Sequence, residues 1–106
     1  IGMIFELQDF TYEEYLDILV SSKSSIENAY IEYFREHEIE LVIPEYTNNE
    51  IVNHAIMLNT GARGLKEAFL EVIEPALEIL DDESVKGKKR CIVFPKKGTK
   101  LNYKME

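Results

Sequence analysis

Apolar residues recur at helical spacing in the segment that begins near residue 62. They are Leu65, Ala68, Phe69, Val72, Ile73, Ala76, Leu77 and Leu80. Steps of three and four residues place these side chains on one face of a helix, while Lys66 and the glutamates of the segment fall on the other face. The pattern predicts an amphipathic helix that packs on the core. Because Pro75 has no backbone N–H, we expect this helix to kink near Glu71.

Three shorter helical patterns precede this helix along the chain. Each begins with a hydroxyl residue that is followed three positions later by glutamate, which is typical of a capping box. The pairs are Thr11 with Glu14, Ser24 with Glu27 and Thr47 with Glu50. We therefore predict a helix from each of these hydroxyl residues, with the acidic residues on the polar faces and the tyrosines and phenylalanines in the core.

Alternating or continuous short apolar runs indicate three strands. They are Met3–Leu7, Ile39–Ile43 and Arg90–Phe94, and the last two stop at a proline. The resulting order is strand, helix, helix, strand, helix, helix, strand. This order predicts an α+β fold in which four helices pack on a small three-stranded sheet in two layers.

The charges of the chain are distributed unevenly. Eight of the twelve lysines and arginines lie from Lys86 onward, where Glu106 is the single acid, so this segment carries +7 and residues 1–85 carry −15. We assign residues 1–95 to one domain and residues 96–106 to a basic C-terminal tail. Such a tail is compatible with nucleic-acid binding, but the aromatic residues are not interleaved with the basic ones and the acidic body repels phosphate. We therefore favour a tail that folds back on the body or is solvated.

Several functional classes are disfavoured by what the sequence lacks. It has no apolar run long enough to cross a bilayer and no signal-peptide pattern, and with Cys91 as its single cysteine it forms no internal disulfide. These features favour a cytoplasmic setting. There is no Gly-x-x-x-x-Gly-Lys-Ser/Thr loop, and His37, His54 and Cys91 lack the spacing of metal ligands. We predict no catalytic residue and no metal site, so this chain is not by itself an enzyme.

The run Gly61-Ala62-Arg63-Gly64 places an arginine between two glycines at the start of the long helix. Unpaired N–H groups and the helix dipole favour an anion at such a position, and a guanidinium adds a charge-assisted fork to a phosphate. The alternative is that Gly61 ends the preceding helix and Arg63 is an ordinary solvated side chain. Residue types alone leave both interpretations open.

The run Thr60–Leu65 resembles the sensor-2 motif of the AAA+ unfoldases of the ClpX/HslU group, and it is closer to ClpX. The resemblance extends in order over about residues 1–82. It departs from the family at Ser21–Ser25, where the family usually has Pro-Lys-Asn, at Pro75, and after Asp82. The other segments that carry it are Ile1–Leu7, Phe10–Leu19, Ala29–Phe34 and Ile39–Leu41.

The resemblance implies that the chain is the small C-terminal lid domain of an ATPase module. Arg63 would then be the sensor-2 arginine that reaches the γ-phosphate of ATP, and Ala62 would lie beside the nucleotide. Phe10 and Ile18 match positions that press apolar side chains on the adenine. The implied cofactor is ATP or ADP with magnesium in the full-length parent, with none expected for the isolated domain.

The resemblance also implies partners. The lid would contact the large AAA+ domain of its own chain and that of a neighbouring subunit in a hexameric ring, which unfolds protein substrates for a ClpP-like peptidase. The phosphate loop and the Walker B acid belong to that large domain, so we expect the chain to be part of a longer protein. The alternative is a stand-alone adaptor or interaction domain that has the lid fold and no ATPase activity.

Overall fold

The structure is a computed structural model that describes residues 10–98 and 100–106. A π-helix, Asp17–Ser21, follows the first α-helix, and a short 3₁₀-helix, Glu83–Val85, precedes the second strand. The α-helices are α1 (Tyr12–Leu16), α2 (Ile26–Glu36), α3 (Glu45–Leu58) and α4 (Ala62–Glu78), and the strands are β1 (Glu40–Val42), β2 (Arg90–Val93) and β3 (Tyr103–Met105).

The three strands form one mixed sheet in the order β1-β2-β3. β1 runs parallel to β2, and Leu41 lies opposite Cys91. β3 runs antiparallel to β2, and Met105 lies on the other side of Cys91. The predicted α+β class and the two predicted strands that became β1 and β2 are confirmed. The predicted strand Met3–Leu7 lies outside the described residues, and β3 was not predicted.

The prediction of four full helices is wrong at the first of them. Only α2, α3 and α4 are long, with 11, 14 and 17 residues. α1 has five residues and passes directly into the π-helix, in which Leu19 is completely buried. The polar run Ser21–Ser25 then supplies one buried side chain, Ser25, and no apolar one, so nothing there anchors a longer helix to the core.

The predicted capping boxes differ in outcome. At α1 the box is confirmed: the Glu14 N–H donates to Thr11 Oγ1 over 3.1 Å, and the Thr11 N–H donates to Glu14 Oε1 over 2.8 Å. At α2 the predicted cap, Ser24, is wrong by one residue. Ser25 is the N-cap, and its hydroxyl accepts from the Asn28 N–H over 3.1 Å. This shift moves Glu27 from the capping position into the protein interior.

The capping box predicted at Thr47 is also wrong. α3 begins two residues earlier, at Glu45, because Pro44 has the fixed backbone angle that suits a helix start. Thr47 is fully buried, and its hydroxyl donates to the carbonyl oxygen of Val93 over 2.9 Å. The threonine therefore joins α3 to β2 rather than capping a helix.

The core lies between α4, the sheet and the helices that precede them. α4 is continuous through Pro75, and Leu65, Phe69 and Ile73 on its inner face are completely buried. The Phe69 ring also contacts Tyr30 of α2, with ring centroids 5.1 Å apart. The predicted apolar stripe of this helix is thus confirmed. The other buried apolar residues are Tyr15, Leu19, Phe34, Ile39, Leu41, Ile51, Val52, Ala55, Ala68, Val72, Ala76, Leu80, Val85, Cys91 and Val93.

The core assignment of the aromatic residues holds only in part. Tyr15 and Phe34 are buried, whereas Tyr33 is 44% exposed and packs against His37. Tyr33 is one residue before Phe34 on α2, so the two side chains point in different directions around the helix. The prediction placed both on a single stripe and is wrong for Tyr33.

Residues near the C-terminus belong to the sheet. Asn102 is 3% exposed, and its side-chain amide donates to the carbonyl oxygens of Val72 and Phe94 over 2.8 and 3.0 Å. The Phe94 N–H in turn donates to the Asn102 carbonyl over 2.7 Å. The domain boundary at residue 95 stays a prediction, but β3, which follows it, is a strand of the same sheet.

One acidic residue contradicts the prediction that the acids lie on polar helix faces. Glu27 of α2 is 4% exposed, and its Oε2 has no hydrogen-bond partner among the described residues. Burial raises the pKa of this carboxyl from 4.5 to about 8 because removal from water disfavours the charged form. Glu27 is therefore largely neutral at pH 7.

Candidate functional site

The connection between α3 and α4 is a tight turn formed by two residues with positive φ. Asn59 caps the end of α3 in the left-handed conformation, with φ 51°, and its N–H donates to the Ala55 carbonyl over 3.1 Å. Gly61 follows with φ 66° and ψ −146°. This region of backbone angles is accessible almost only to glycine. The first glycine of the motif is therefore required by the turn itself.

The second glycine of the motif leaves space for the side chain of Thr60. A Cβ atom at position 64 would collide with Oγ1 of Thr60 and would lie 3.4 Å from Cβ of Leu58. Gly64 therefore lets the end of α3 and the turn approach the first turn of α4. The spacing of the two glycines was visible in the sequence, but the sequence did not show that Thr60 is the residue that needs the space.

Within residues 10–98 and 100–106, no side chain caps the backbone donors at the N-terminus of α4. The Leu65 N–H donates to the Gly61 carbonyl over 3.2 Å, so the N–H groups of Ala62, Arg63 and Gly64 precede the first intrahelical bond. Gly61 offers no side chain to accept from them, and the first turn contains no acidic residue. Among the described residues, no side chain therefore neutralises the positive end of the helix dipole, which favours an anion.

Arg63 lies in this first turn, and its side chain is exposed. Among the described residues, no carboxylate is within ion-pairing distance of its guanidinium. Ala62, its neighbour, is exposed as well. The positions predicted from the motif therefore lie together at the helix end, with a solvent-facing cation beside the backbone donors.

Phe10 lies next to the same turn. A Cβ atom added to Gly61 would be 3.6 Å from Cε2 of Phe10, so the ring lies against the glycine. The ring also makes an edge-to-face contact with Tyr15, with centroids 5.4 Å apart. Ile18 lies in the π-helix and is half-buried against the core. Its predicted place beside a nucleotide stays a prediction.

The glycine requirement at position 61 is testable by substitution. Gly61→Ala places a Cβ on a backbone conformation that side-chain-bearing residues avoid, and we expect it to lower the free energy of unfolding by about 1–3 kcal/mol. Urea denaturation followed by circular dichroism measures this loss. Ala62→Gly is the matched control, because residue 62 has helical angles and loses only about 1 kcal/mol of helix propensity. An unchanged midpoint for Gly61→Ala would contradict the strained geometry.

No protein-family model matches this chain. Within residues 10–98 and 100–106, no helix is both long enough and apolar enough to cross a bilayer. The same residues contain no group of three or more histidine, cysteine or acidic side chains placed to hold a metal ion. The site at the α4 N-terminus must therefore be interpreted from its own chemistry.

Proposed function

We propose that this chain is the C-terminal lid domain of a ClpX-like AAA+ unfoldase, in which Arg63 senses the γ-phosphate of ATP. The observation that carries the proposal is the N-terminus of α4. There an exposed arginine adjoins three backbone N–H groups that have no intrahelical partner. A phosphate is the ligand that this combination of donors suits best.

We assign the other predicted site residues to the same role. Phe10 lies against Gly61 and supplies an aromatic surface close to the proposed phosphate site, as expected for a residue near the adenine. Ala62 adds no bulk beside the nucleotide, and Ile18 is the proposed second apolar contact. The arrangement of three long helices on the mixed sheet, preceded by the short α1, is proposed to be the AAA+ small-domain fold.

Sensing follows from a contact that depends on the nucleotide state. A contact between Arg63 and the γ-phosphate exists with ATP and is lost with ADP, so it biases the angle between lid and large domain. In the proposed hexamer that angle is transmitted to the neighbouring subunit, and the ring unfolds proteins for a ClpP-like peptidase. The large domain supplies the phosphate loop, and magnesium accompanies the nucleotide there.

The role of Arg63 is tested in the full-length protein that carries this chain. We expect Arg63→Ala to lower ATP turnover at saturating ATP by about ten- to a hundredfold, because the lost charge-assisted contact is worth about 1.5–3 kcal/mol. The free energy of unfolding of the lid should change by less than about 0.5 kcal/mol, since the side chain is exposed.

Lys66→Ala is the matched control for this measurement. Lys66 is also an exposed cation on α4 and lies one turn after Arg63, beyond the free N–H groups. Its removal should leave turnover unchanged. Equal turnover in wild type and Arg63→Ala, or an equal loss in both variants, would refute the sensor role.

A second candidate is a stand-alone interaction domain with the same fold and no motor. It is favoured by exposed apolar side chains at the end of α3: Ile56 is 42%, Met57 83% and Leu58 40% exposed. The coding DNA upstream of Ile1 separates the candidates. An in-frame Gly-x-x-x-x-Gly-Lys-Ser/Thr loop supports the lid, whereas a start codon near Met3 with no such loop supports the interaction domain.

A further inference from the structure

A groove runs along the outer face of α3 and faces α4 and the segment after β2. It consists of two adjoining clefts of about 320 and 380 Å³. Glu50 and Asn53 of α3 line both clefts, as do Pro95 and Lys97 on the opposite wall. Because the clefts share these walls they form one site, which we call the α3 groove.

The two ends of the α3 groove are apolar and accessible. Tyr46 lines one end and is 52% exposed, and Met57 lines the other end and is 83% exposed. Ile51 and Val72 form a buried apolar floor near Met57. Exposed apolar surface next to a cleft marks an interaction site, and methionine adapts its shape to different apolar partners.

Two amide side chains lie between these ends. Asn49 and Asn53 are exposed and are four residues apart on α3, which separates them by about 6 Å along the helix axis. An extended peptide repeats its backbone groups on one side every two residues, or about 6.6–6.8 Å. Each amide donates and accepts, as does a peptide unit. The pair therefore matches two successive backbone positions of an extended chain laid along α3.

The charges of the groove select a peptide over a nucleic acid. Lys96 and Lys97 lie on the wall after β2, whereas Glu50 and Glu71 lie on the helical walls. The two glutamates repel a phosphate backbone but leave the lysines able to pair with a single carboxylate. A ligand that presents one acidic side chain to the lysines, and none to the helices, pairs with Lys96 and Lys97 and avoids repulsion by the two glutamates.

We propose that the α3 groove binds an extended peptide segment of a partner protein. Tyr46 and Met57 are eleven residues apart, which is about 16 Å on a helix and corresponds to about five residues of extended peptide. Such a segment places an apolar side chain beside Met57 and an acidic side chain beside Lys96 and Lys97. Its backbone bonds to Asn49 and Asn53. This site is independent of the phosphate site at Arg63.

Fluorescence anisotropy with a positional-scanning library of fluorescein-labelled heptapeptides tests the proposal on the chain itself. We expect saturable binding that is selective for peptides with an apolar and an acidic residue. The double substitution Asn49→Leu with Asn53→Leu should weaken binding by about tenfold or more, since two backbone contacts are lost. Lys97→Glu should weaken binding of acidic peptides by about tenfold and favour basic ones.

Lys86→Glu is the control, because it makes the same charge change on a lysine that lines neither cleft. It should leave the affinity unchanged. Circular dichroism verifies that each variant is folded. The proposal is overturned if no library peptide binds saturably, or if folded groove variants bind as the wild type does. It is also overturned if a single-stranded oligonucleotide binds saturably and Lys97→Glu abolishes that binding.

Discussion

Glu27→Gln is expected to stabilise the protein near neutral pH and to remove part of its pH dependence. Burial raises the pKa of Glu27 to about 8, whereas the unfolded chain ionises near 4.5. Between these values the unfolded state releases a proton that the folded state keeps, so rising pH favours unfolding. Relative to the glutamine variant, the wild type should lose about 3 kcal/mol between pH 4 and pH 7, at 1.36 kcal/mol per pH unit above 4.5.

Urea denaturation at a series of pH values measures this difference. The gap between wild type and Glu27→Gln should widen from pH 4.5 to about pH 8 and stay constant above it. Glu36→Gln is the matched control on the same helix, because Glu36 is exposed. If the two substitutions produce parallel pH profiles, the burial of an uncompensated carboxyl at position 27 is wrong.

The position of Glu27 shows a limit of pattern-based prediction. Ser24 and Glu27 have the spacing of a capping box, and a real box keeps the glutamate at the surface, near the helix start. The adjacent Ser25 forms an equally good cap, and local sequence does not distinguish between them. Tertiary packing decided the choice and buried a carboxyl that the sequence had assigned to the polar face.

Elements with a strong local signal were predicted well. The stripe from Leu65 to Leu80 fixes α4, and the apolar runs before Pro44 and Pro95 fix β1 and β2. β3 has a weaker signal, since Tyr103–Met105 is three residues long and follows a lysine-rich segment. Its pairing depends on backbone bonds to β2, which composition does not report. Thus β1 and β2 were predicted, whereas β3, the edge strand beside β2, was not.

The sequence located the turn at the start of α4, but it did not predict the geometry of that turn. The motif located Arg63 and the start of α4, and the resemblance added Phe10. The contact of the Phe10 ring with Gly61 depends on how α1 packs near the turn, and no pattern along the chain encodes that distance. The role of Thr60 against Gly64 likewise required the folded geometry.

The excess of basic residues near the C-terminus does not hold that end of the chain in the folded protein. Arg90 of β2 pairs with Glu40 of β1 and Glu106 after β3 at 3.2 and 3.3 Å. These pairs are exposed, and exposed pairs contribute little to stability. The pairing of β3 with β2 and the hydrogen bonds of Asn102 hold the end of the chain instead. We therefore expect the stability of this attachment to be independent of salt concentration.

Asn102→Ala is expected to lower the free energy of unfolding by about 2–3 kcal/mol and to loosen β3. The substitution removes the donor that satisfies the Val72 and Phe94 carbonyls, and losing a partner at a buried polar group costs about 1–3 kcal/mol. Denaturation in urea measures the loss. Amide hydrogen exchange should show faster exchange at Phe94 and Glu106, whose N–H groups bond across β2 and β3.

Asn53→Ala is the control for Asn102→Ala, because Asn53 is exposed and its removal should change stability by less than about 0.5 kcal/mol. High salt should weaken neither variant further, since the contact that holds β3 is a hydrogen bond between buried neutral groups rather than an ion pair. Equal stability of the two variants, or a loss at Asn102 that vanishes in salt, would show that charge rather than Asn102 attaches the C-terminal strand. The expected salt-independent loss instead makes Asn102 the residue that joins α4, β2 and β3 into one unit.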